Sequence, residues 1–361
     1  MKALPDKYRF AEDHAPIFHL HPEDQYRPSD LTEFLRHTTP MIDRVPASNN
    51  DDAMDLDNLS RLNTLGNSQG RNVYLTSRDD VTSNPQWLKG ADIDAREGFK
   101  GGELCTGAIV VVDKGEGVVD VFYFIFWAYN YGGIVLSQNL GNHVGDWEHV
   151  MIRFKGGKPK QVWLSQHSNG EAYTFDALEK GILYVAKGSH AIYAREGDID
   201  HTIPNFNTDL PFLLVDQCKA GPEFDPLLTS YLYSYDRTNR QFTGLNRSSL
   251  ATGWLLFNGH WGDQEYPADD KRQQSFVGFL KYGDGPTGPA DKQLDRKRVW
   301  PDNSHAWGQL VRTSLDGRTR LRDQLKEWWW RAFGRKEKAM KIKGEPSRAY
   351  ADGTRAPLKR T

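Results

Sequence analysis

The sequence predicts a mainly β protein: an antiparallel β-sandwich with an irregular N-terminal segment and a C-terminal amphipathic helix followed by a basic tail. Segments rich in Val, Ile, Tyr and Phe lie between turn-forming residues, at spacings typical of antiparallel all-β domains. The segments are TGAIVVVD, GVVDVFYFIFWAYN, WEHVMIRF, KQVWLSQHS, GILYVAKGS and FVGFLKY. Residues 118–129 lack polar alternation apart from Asp120, which predicts a central strand covered on both faces.

The remaining segments set the domain organisation. Residues 14–40 are rich in Pro and His, and the polar stretch 48–70 predicts a loop region with one short helical turn. Residues 113–117 predict a hairpin loop. Near the C-terminus, Leu321, Leu325 and Ala332 recur at helical spacing between charged residues. We therefore predict a single sandwich domain over 1–310, an amphipathic helix over 311–335 and a basic, disordered tail over 336–361.

Charge and composition limit the class of partner. The chain has 361 residues, with 46 Lys plus Arg against 48 Asp plus Glu, so its net charge of −2 argues against bulk attraction to nucleic acid. Residues 331–361 contain ten basic and three acidic residues, which favours peripheral contact with an anionic membrane; a solvated tail is the alternative.

The N-terminus has no apolar core of a signal peptide, and the longest apolar run is shorter than the roughly 20 residues of a membrane helix. The two cysteines, Cys105 and Cys218, form neither a zinc-site pattern nor a redox pair. We therefore expect an intracellular protein, cytoplasmic or peripheral to an endomembrane.

The stretch GNHVGDWEHVMIRF, residues 141–154, carries the strongest candidate site. On a strand, Asp146 and Glu148 share one face with the apolar residues that follow them, whereas His149 points to the other face. His143, in the preceding Gly-flanked turn, can fold back towards them. Two neighbouring carboxylates at the rim of an apolar face repel each other unless a cation, a proton or an arginine neutralises one of them.

We therefore predict a divalent-cation site formed by His143, Asp146 and Glu148. Two carboxylates and one imidazole favour Mg²⁺, Ca²⁺ or Mn²⁺, and Zn²⁺ also fits. A hydrogen-bonded polar turn is the alternative. His167 and His190 each end a predicted strand, which indicates that polar groups cluster on one rim. His190, His167 and His149 are the candidates for acid–base catalysis.

The residues 142–154, NHVGDWEHVMIRF, resemble the GHRHDWEHVVVW region of the NPP1-type necrosis-inducing proteins. VWLSQHSNG and GILYVAKGSHAIYA resemble the segments that follow it there. In that family, residues at H-x-x-D-x-E positions hold a divalent cation on a β-sandwich, and the proteins engage glycosylated sphingolipid head groups. The resemblance implies His143, Asp146 and Glu148 as ligands. Gly145 stands where that family has a second histidine, and the sequence does not identify an upstream acidic ligand.

A longer resemblance is to the Vps62 family, also called DUF946. It covers roughly residues 15–300 in matching order and implies a role in vacuolar protein targeting, without a catalytic mechanism. The matching segments are APIFHLHPEDQYRPSDLTEFL, VFYFIFWAYNYGG, DWEHV, SQHSNG, KGSHAIYA, GHWGD and GPTGP.

Three functions fit these observations. The first is a cation-dependent protein that binds a lipid or glycan head group. The second is a metal-dependent lyase, cyclase or hydrolase acting on a small-molecule substrate, with Tyr129, Trp147, Trp163 and Tyr173 available to line its pocket. The third is a scaffold in which the ion only stabilises the fold. The G-x-G-x-x-G match at 283–288 contains a proline in a turn-rich stretch, which argues against dinucleotide binding.

Overall fold

The computed structural model describes residues 4–47, 54–91, 104–135, 137–178, 181–203, 206–208, 214–245, 250–276, 278–304 and 309–315. Three short α-helices are present in these ranges: α1 (Arg9–Asp13), α2 (Leu31–Arg36) and α3 (Pro226–Thr229). The strands are β1 (Ile17–Leu20), β2 (Thr38–Ile42), β3 (Val45–Pro46), β4 (Tyr74–Ser77), β5 (Gly107–Gly115), β6 (Val118–Asn130), β7 (Ile134–Val135), β8 (Gln138–Asn139), β9 (His143–Lys155), β10 (Lys158–Gln166), β11 (Asn169–Thr174), β12 (Ile182–Val185), β13 (Ile192–Tyr193), β14 (Gly197–Ile203), β15 (Phe206–Thr208), β16 (Val215–Cys218), β17 (Glu223–Phe224), β18 (Ser230–Asp236), β19 (Gln241–Gly244), β20 (Ser275–Phe276), β21 (Phe279–Leu280) and β22 (Val311–Arg312).

An eight-stranded sheet in the order β19-β18-β5-β6-β9-β10-β11-β22 forms the centre of the fold. The predicted central strand is confirmed as β6, which pairs antiparallel with β5 and with β9. The predicted hairpin loop at 113–117 joins β5 to β6, where Glu116 and Gly117 take positive φ angles of 52° and 72°.

The predicted β-sandwich is confirmed by a second sheet, of order β13-β12-β1-β17, that covers one face of the large sheet. Phe18, Leu183 and Phe224 of the small sheet belong to the same apolar core as residues of β5, β6, β9 and β10. Most strand pairs are antiparallel, but β1 with β12, β5 with β18 and β11 with β22 are parallel.

The other face of the large sheet is also buried, which explains the lack of polar alternation in β6. Helix α2 and irregular segments around residues 54–75, 254–261 and 294–300 cover it. The one acidic residue of this strand, Asp120, is fully buried and accepts two hydrogen bonds of 2.7 Å from the Arg153 guanidinium on β9. A bidentate ion pair therefore accounts for this polar position.

Three sequence expectations need a boundary correction or lie partly outside the described residues. FVGFLKY is not one strand: β20 and β21 form a hairpin around Gly278, whose φ of 82° favours a turn. The segment 311–335 begins as strand β22 rather than as a helix, because Arg312 is buried and pairs with Glu171 at 3.2 Å. The predicted helix beyond residue 315 and the tail 336–361 lie outside the described residues. The short helical turn predicted within 48–70 is confirmed as a 3₁₀ helix at Leu59–Thr64.

Within the described ranges, no helix is both long enough and apolar enough to span a lipid bilayer.

Candidate functional site

Strand β9 brings two carboxylates to the rim of the sandwich core. Asp146 pairs with Trp127 of β6 and Glu148 pairs with Ile125, so both acids project from the face that also carries Val150. Asp146 is 5% exposed and Glu148 is 4% exposed. The alternation expected from the sequence is therefore observed, with two buried acids at one end of an apolar face.

His190 links Asp146 to the small sheet. Its Nδ1 lies 2.9 Å from Asp146 Oδ2, and its fully buried ring stacks on Trp127 with 4.6 Å between ring centroids. Its Nε2 lies 3.6 Å from Asp24 Oδ2, in the segment that follows β1. Among the described residues, no group comes within hydrogen-bond distance of this Nε2. The imidazole therefore lies between two carboxylates and fixes the orientation of Asp146.

Glu148 is the carboxyl of this site whose ionised form is strongly disfavoured. It accepts a hydrogen bond from the Ser165 hydroxyl, while burial and the neighbouring charge of Asp146 raise its pKa to about 8. The Lys292 ammonium also lies near: burial lowers its pKa, and the charges of Glu148 and Asp146 oppose that shift. The carboxylate pair therefore favours a proton or a cation at neutral pH.

His143 is the first residue of β9 rather than part of the turn expected from the sequence. Its Nδ1 donates a hydrogen bond of 2.6 Å to the Gly145 carbonyl oxygen, which leaves Nε2 as the ligand atom. Burial lowers the pKa of His143, although Asp146 acts in the opposite direction. A neutral imidazole of this tautomer is the form that binds metal ions.

The departure from the NPP1-type heptapeptide at Gly145 has a steric cause. The residue has a φ of 69°, and a Cβ at this position would lie 1.8 Å from the carbonyl oxygen of Trp261. A side chain of any size would force the 259–263 loop away from β9. Glycine is therefore required by the close approach of two backbones.

The structure does not bring the ligand atoms of the predicted trio into one compact group. Within the described ranges, the only three His, Cys, Asp or Glu ligand atoms that all lie within 4.8 Å of one another belong to His167, His201 and Asp216. Asp146 and Glu148 instead bond to His190 and to a serine hydroxyl. A cation shared by the predicted ligands would therefore need their side chains to move towards one another.

His167 forms an ion pair at the rim. Its Nε2 lies 2.8 Å from Asp216 Oδ2, and its ring stacks on His201 with 4.1 Å between centroids. Burial alone would lower the pKa of His167, but the Asp216 carboxylate outweighs it and raises this pKa to about 9. Burial and the His167 charge lower the pKa of His201 to about 4. Burial opposes ionisation of Asp216, yet His167 holds its pKa well below the usual range.

His149 lies on the opposite face of β9, away from Asp146. It is 3% exposed, and its Nε2 accepts a hydrogen bond of 3.2 Å from the Arg296 guanidinium. Burial, followed by the charge of Arg296, places the pKa of His149 well below its ordinary value. Of the three catalytic candidates, the structure therefore brings His167 and His190 to the rim with the acids and separates His149 from them.

A cavity of about 260 Å³ opens beside the acidic rim. Its wall includes Trp147 and His149, so it lies on the face of β9 opposite the two acids, and Ser165, which bonds to Glu148, links the two faces. In the described part of the chain, the buried Nε1 atoms of Trp147 and Trp163 have no hydrogen-bond acceptor. The lining also includes Ser168, Asn169, Lys292, Arg296, Asn303 and Ser304. Aromatic walls with polar groups and unused N–H donors are typical of a site for a polar ligand.

Comparison with known proteins decides the family. A family model described as Vacuolar protein sorting-associated protein 62 (Vps62) matches residues 1–201. The chain is 34% identical over 320 residues to the putative vacuolar protein sorting-associated protein TDA6 of Saccharomyces cerevisiae. It is 32% identical over 315 residues to vacuolar protein sorting-associated protein 62 of the same yeast. The chain belongs to the Vps62 family. The alignments cover 79% and 80% of this Vps62-family chain but 66% of each yeast relative.

Solved structures give weaker likenesses. The structure described as "Toxin fold for microbial attack and plant defense" is 12% identical with a TM-score of 0.28, over 64% of this chain and 77% of that chain. NLPPya in complex with glucosamine is 11% identical with a TM-score of 0.27, over the same fractions. The alignments with the yeast relatives, rather than these low scores, establish the membership of this protein in the Vps62 family.

Sequence reasoning missed several residues of this Vps62-family site: Asp24, His201, Asp216, Lys292 and Arg296. Asp216 offered one signal, because it interrupts the apolar pattern of a short buried strand, β16. Arg296 is fully buried without such a signal, since it follows a turn-rich stretch. Burial lowers its pKa to about 9, and its guanidinium lies 4.9 Å from the Trp163 ring centroid.

Proposed function

We propose that this Vps62-family protein binds a lipid or glycan head group through a divalent cation held by His143, Asp146 and Glu148. The observation that carries the proposal is the pair of buried carboxylates on one face of β9, of which Glu148 has its pKa raised to about 8. A bound cation would replace the proton and neutralise the repulsion between the two acids. Among the cations that fit, Mg²⁺, Ca²⁺ and Mn²⁺ match an oxygen-rich set, and Zn²⁺ is the fourth.

The adjoining cavity supports a head group as the ligand. Its volume of about 260 Å³ suits one sugar ring or a small phosphorylated group, and Trp147 and Trp163 supply flat apolar walls. Lys292 adds a positive charge that favours an anionic substituent. The cavity lies on the Trp147 and His149 face of β9, and the hydrogen bond from Ser165 to Glu148 couples it to the cation site on the other face.

A vacuolar role follows from the relatives as a proposal. The yeast proteins carry vacuolar protein sorting in their names, and this chain spans 66% of their length. A protein that binds head groups on an endomembrane would serve such sorting, and the ten basic residues of 331–361 would add attraction to an anionic membrane surface.

The test measures cation binding and ligand binding separately. Calcium or manganese is titrated by calorimetry into wild type, Asp146→Asn and the exposed control Asp269→Asn. We expect one ion per chain in wild type and in the control, and a loss of affinity of at least about 100-fold in Asp146→Asn. Glycan-array and liposome binding should then depend on that ion. Wild type that binds no stoichiometric divalent cation, or only one whose affinity Asp146→Asn leaves unchanged, would refute the proposal.

A metal-dependent tailoring enzyme is the second candidate, because His190 and His167 lie within the acidic rim and could move a proton. Of the four aromatic residues predicted to line its pocket, Trp147 and Trp163 line the cavity, whereas Tyr129 and Tyr173 are not part of its lining. Turnover of a small molecule that is abolished by His167→Ala, with cation and glycan binding retained, would favour the enzyme over the binding protein.

A further inference from the structure

Two histidines and an aspartate from three separate segments meet at the rim of the sandwich. His167 lies in the turn between β10 and β11, with a φ of 55°. Asp216 on β16 pairs with Ile199 of β14, and His201 lies two residues further along that strand. Side chains two apart on a strand share a face, so His201 and Asp216 are diagonal neighbours on one face of the β14–β16 ladder.

The three ligand atoms lie close enough together to share one ion. His167 Nε2 lies 2.8 Å and His201 Nε2 lies 3.7 Å from the same oxygen, Asp216 Oδ2. All three ligand atoms lie within 4.8 Å of one another. Ligand atoms around a tetrahedral zinc ion, with bonds of about 2.0 Å, are separated by roughly 3.3 Å. The two distances to Asp216 Oδ2 are within about 0.5 Å of this separation, and the two histidine nitrogens lie within 4.8 Å of each other.

Asp216 is held in place as a metal ligand is. It is 4% exposed, its Oδ1 accepts a hydrogen bond of 2.6 Å from the Ser189 hydroxyl, and its Oδ2 accepts one of 2.6 Å from the Tyr193 hydroxyl. Hydrogen bonds of this kind orient ligating carboxylates in metal proteins. The histidine side chains, 33% and 20% exposed, leave a path for an ion from solvent.

We propose that His167, His201 and Asp216 form a second metal site, which takes a first-row transition-metal ion and above all Zn²⁺. Two imidazoles and one carboxylate form the nitrogen-rich set that these ions prefer, with a coordination position left for water. The cation proposed at Asp146 and Glu148 has an oxygen-rich set instead. The two sites should therefore separate by metal type, although they lie close enough for their charges to interact.

A structural ion pair between His167 and Asp216 is the competing explanation. Such a pair needs one histidine, whereas here a second ring stacks at 4.1 Å with its Nε2 directed to the same oxygen. At 3.7 Å this second contact is too long for a hydrogen bond and suited to a common ion. The second histidine therefore distinguishes the two explanations, and its replacement is the informative variant.

The experiment loads the full chain with Zn²⁺ or Co²⁺, removes weakly bound metal by dialysis, and measures the content by mass spectrometry and the Co²⁺ absorption spectrum. His201→Asn leaves the His167–Asp216 contact intact and lies on a partly exposed position, so it should fold. We expect one Zn²⁺ per chain in wild type and in the control His37→Asn, a half-exposed histidine elsewhere. His201→Asn should lose at least about 100-fold in affinity.

Asp216→Asn should show the same loss, and the thermal stability of His201→Asn should no longer respond to Zn²⁺. Equal Zn²⁺ affinity in wild type and His201→Asn, or no stoichiometric Zn²⁺ in wild type, would overturn the second site. Asp146→Asn separates the two proposals: it should retain the Zn²⁺ that depends on His201 while losing Ca²⁺. A chain that binds Zn²⁺ through His201 but no cation that depends on Asp146 would refute the proposed cation at Asp146 and leave this inference standing.

Discussion

Replacement of Glu148 by glutamine should stabilise the metal-free protein and remove its response to cations. The side chain keeps its size, and its amide oxygen can still accept the hydrogen bond from Ser165. The change removes a carboxyl that must take up a proton on folding at neutral pH, because burial and Asp146 raise the Glu148 pKa from 4.5 to about 8. An ion-binding site is expected to destabilise the fold while no ion is bound.

The size and the sign follow from proton linkage. Between pH 4.5 and about pH 8, the unfolded chain binds fewer protons at this carboxyl than the folded chain does, so stability falls as pH rises through this window. pH 7 lies 2.5 units above the unfolded pKa of 4.5 and below the folded pKa of about 8. Keeping the proton in the folded state therefore costs about 1.4 kcal/mol per pH unit over this interval, or roughly 3 kcal/mol of folding free energy. Glutamine does not titrate, so Glu148→Gln should gain most of this amount at neutral pH and nothing near pH 4.

Urea denaturation between about pH 5 and pH 8, with a chelator or with excess Ca²⁺, measures both effects. With chelator, Glu148→Gln should be more stable than wild type at pH 7, and its stability should fall less with pH. With Ca²⁺ at about 100 times the dissociation constant, wild type should gain about 2.7 kcal/mol and the variant should gain little. Glu116→Gln, at an exposed turn, is the matched control. A variant that is less stable than wild type in chelator at pH 7 would refute the electrostatic reasoning.

Three further changes test the surrounding structure. Asp120→Ala leaves the Arg153 guanidinium without its carboxylate and should cost about 3 kcal/mol in urea denaturation; a cost below 1 kcal/mol would contradict a strong pair. Gly145→Ala forces a methyl group against the Trp261 carbonyl and should lower the melting temperature or abolish soluble expression, which wild-type behaviour would disprove. Lys292→Met should raise Ca²⁺ affinity several-fold and weaken the binding of phosphorylated head groups, both measured by calorimetry. If the two affinities change in the same direction, the role assigned to Lys292 is wrong.

The parts of the fold that could be predicted depend on the chain near each residue. The alternation of β9 places Asp146 and Glu148 together because a strand has a period of two, whatever lies around it. The apolar run of β6 likewise predicts a strand with both faces buried. Its one acidic residue, Asp120, is paired with Arg153. These features need no knowledge of tertiary contacts.

The parts that could not be predicted depend on contacts between distant segments. His167 and Asp216 are 49 residues apart, and their contact joins the turn after β10 to β16, which pairs with β14. The need for glycine at position 145 arises from Trp261, which the sequence places 116 residues later. The segment FVGFLKY is mispredicted for a local reason. Its composition is that of a strand, but Gly278 in a positive-φ turn divides it into a hairpin. Long-range packing, rather than local propensity, decides such positions.

The partners of the three rim carboxylates indicate where an ion would act. Asp146 and Asp216 each have a histidine nitrogen within 2.9 Å, whereas the described hydrogen bond to Glu148 comes from the neutral Ser165 hydroxyl. The imbalance of charge therefore concentrates on Glu148, which agrees with its raised pKa. Since His190 engages Oδ2 of Asp146, an ion between the two acids would take the other oxygen, Oδ1, and the histidine would hold that oxygen in place. Cation affinity should thus rise with pH as Glu148 loses its proton, and a pH-independent affinity would place the ion elsewhere.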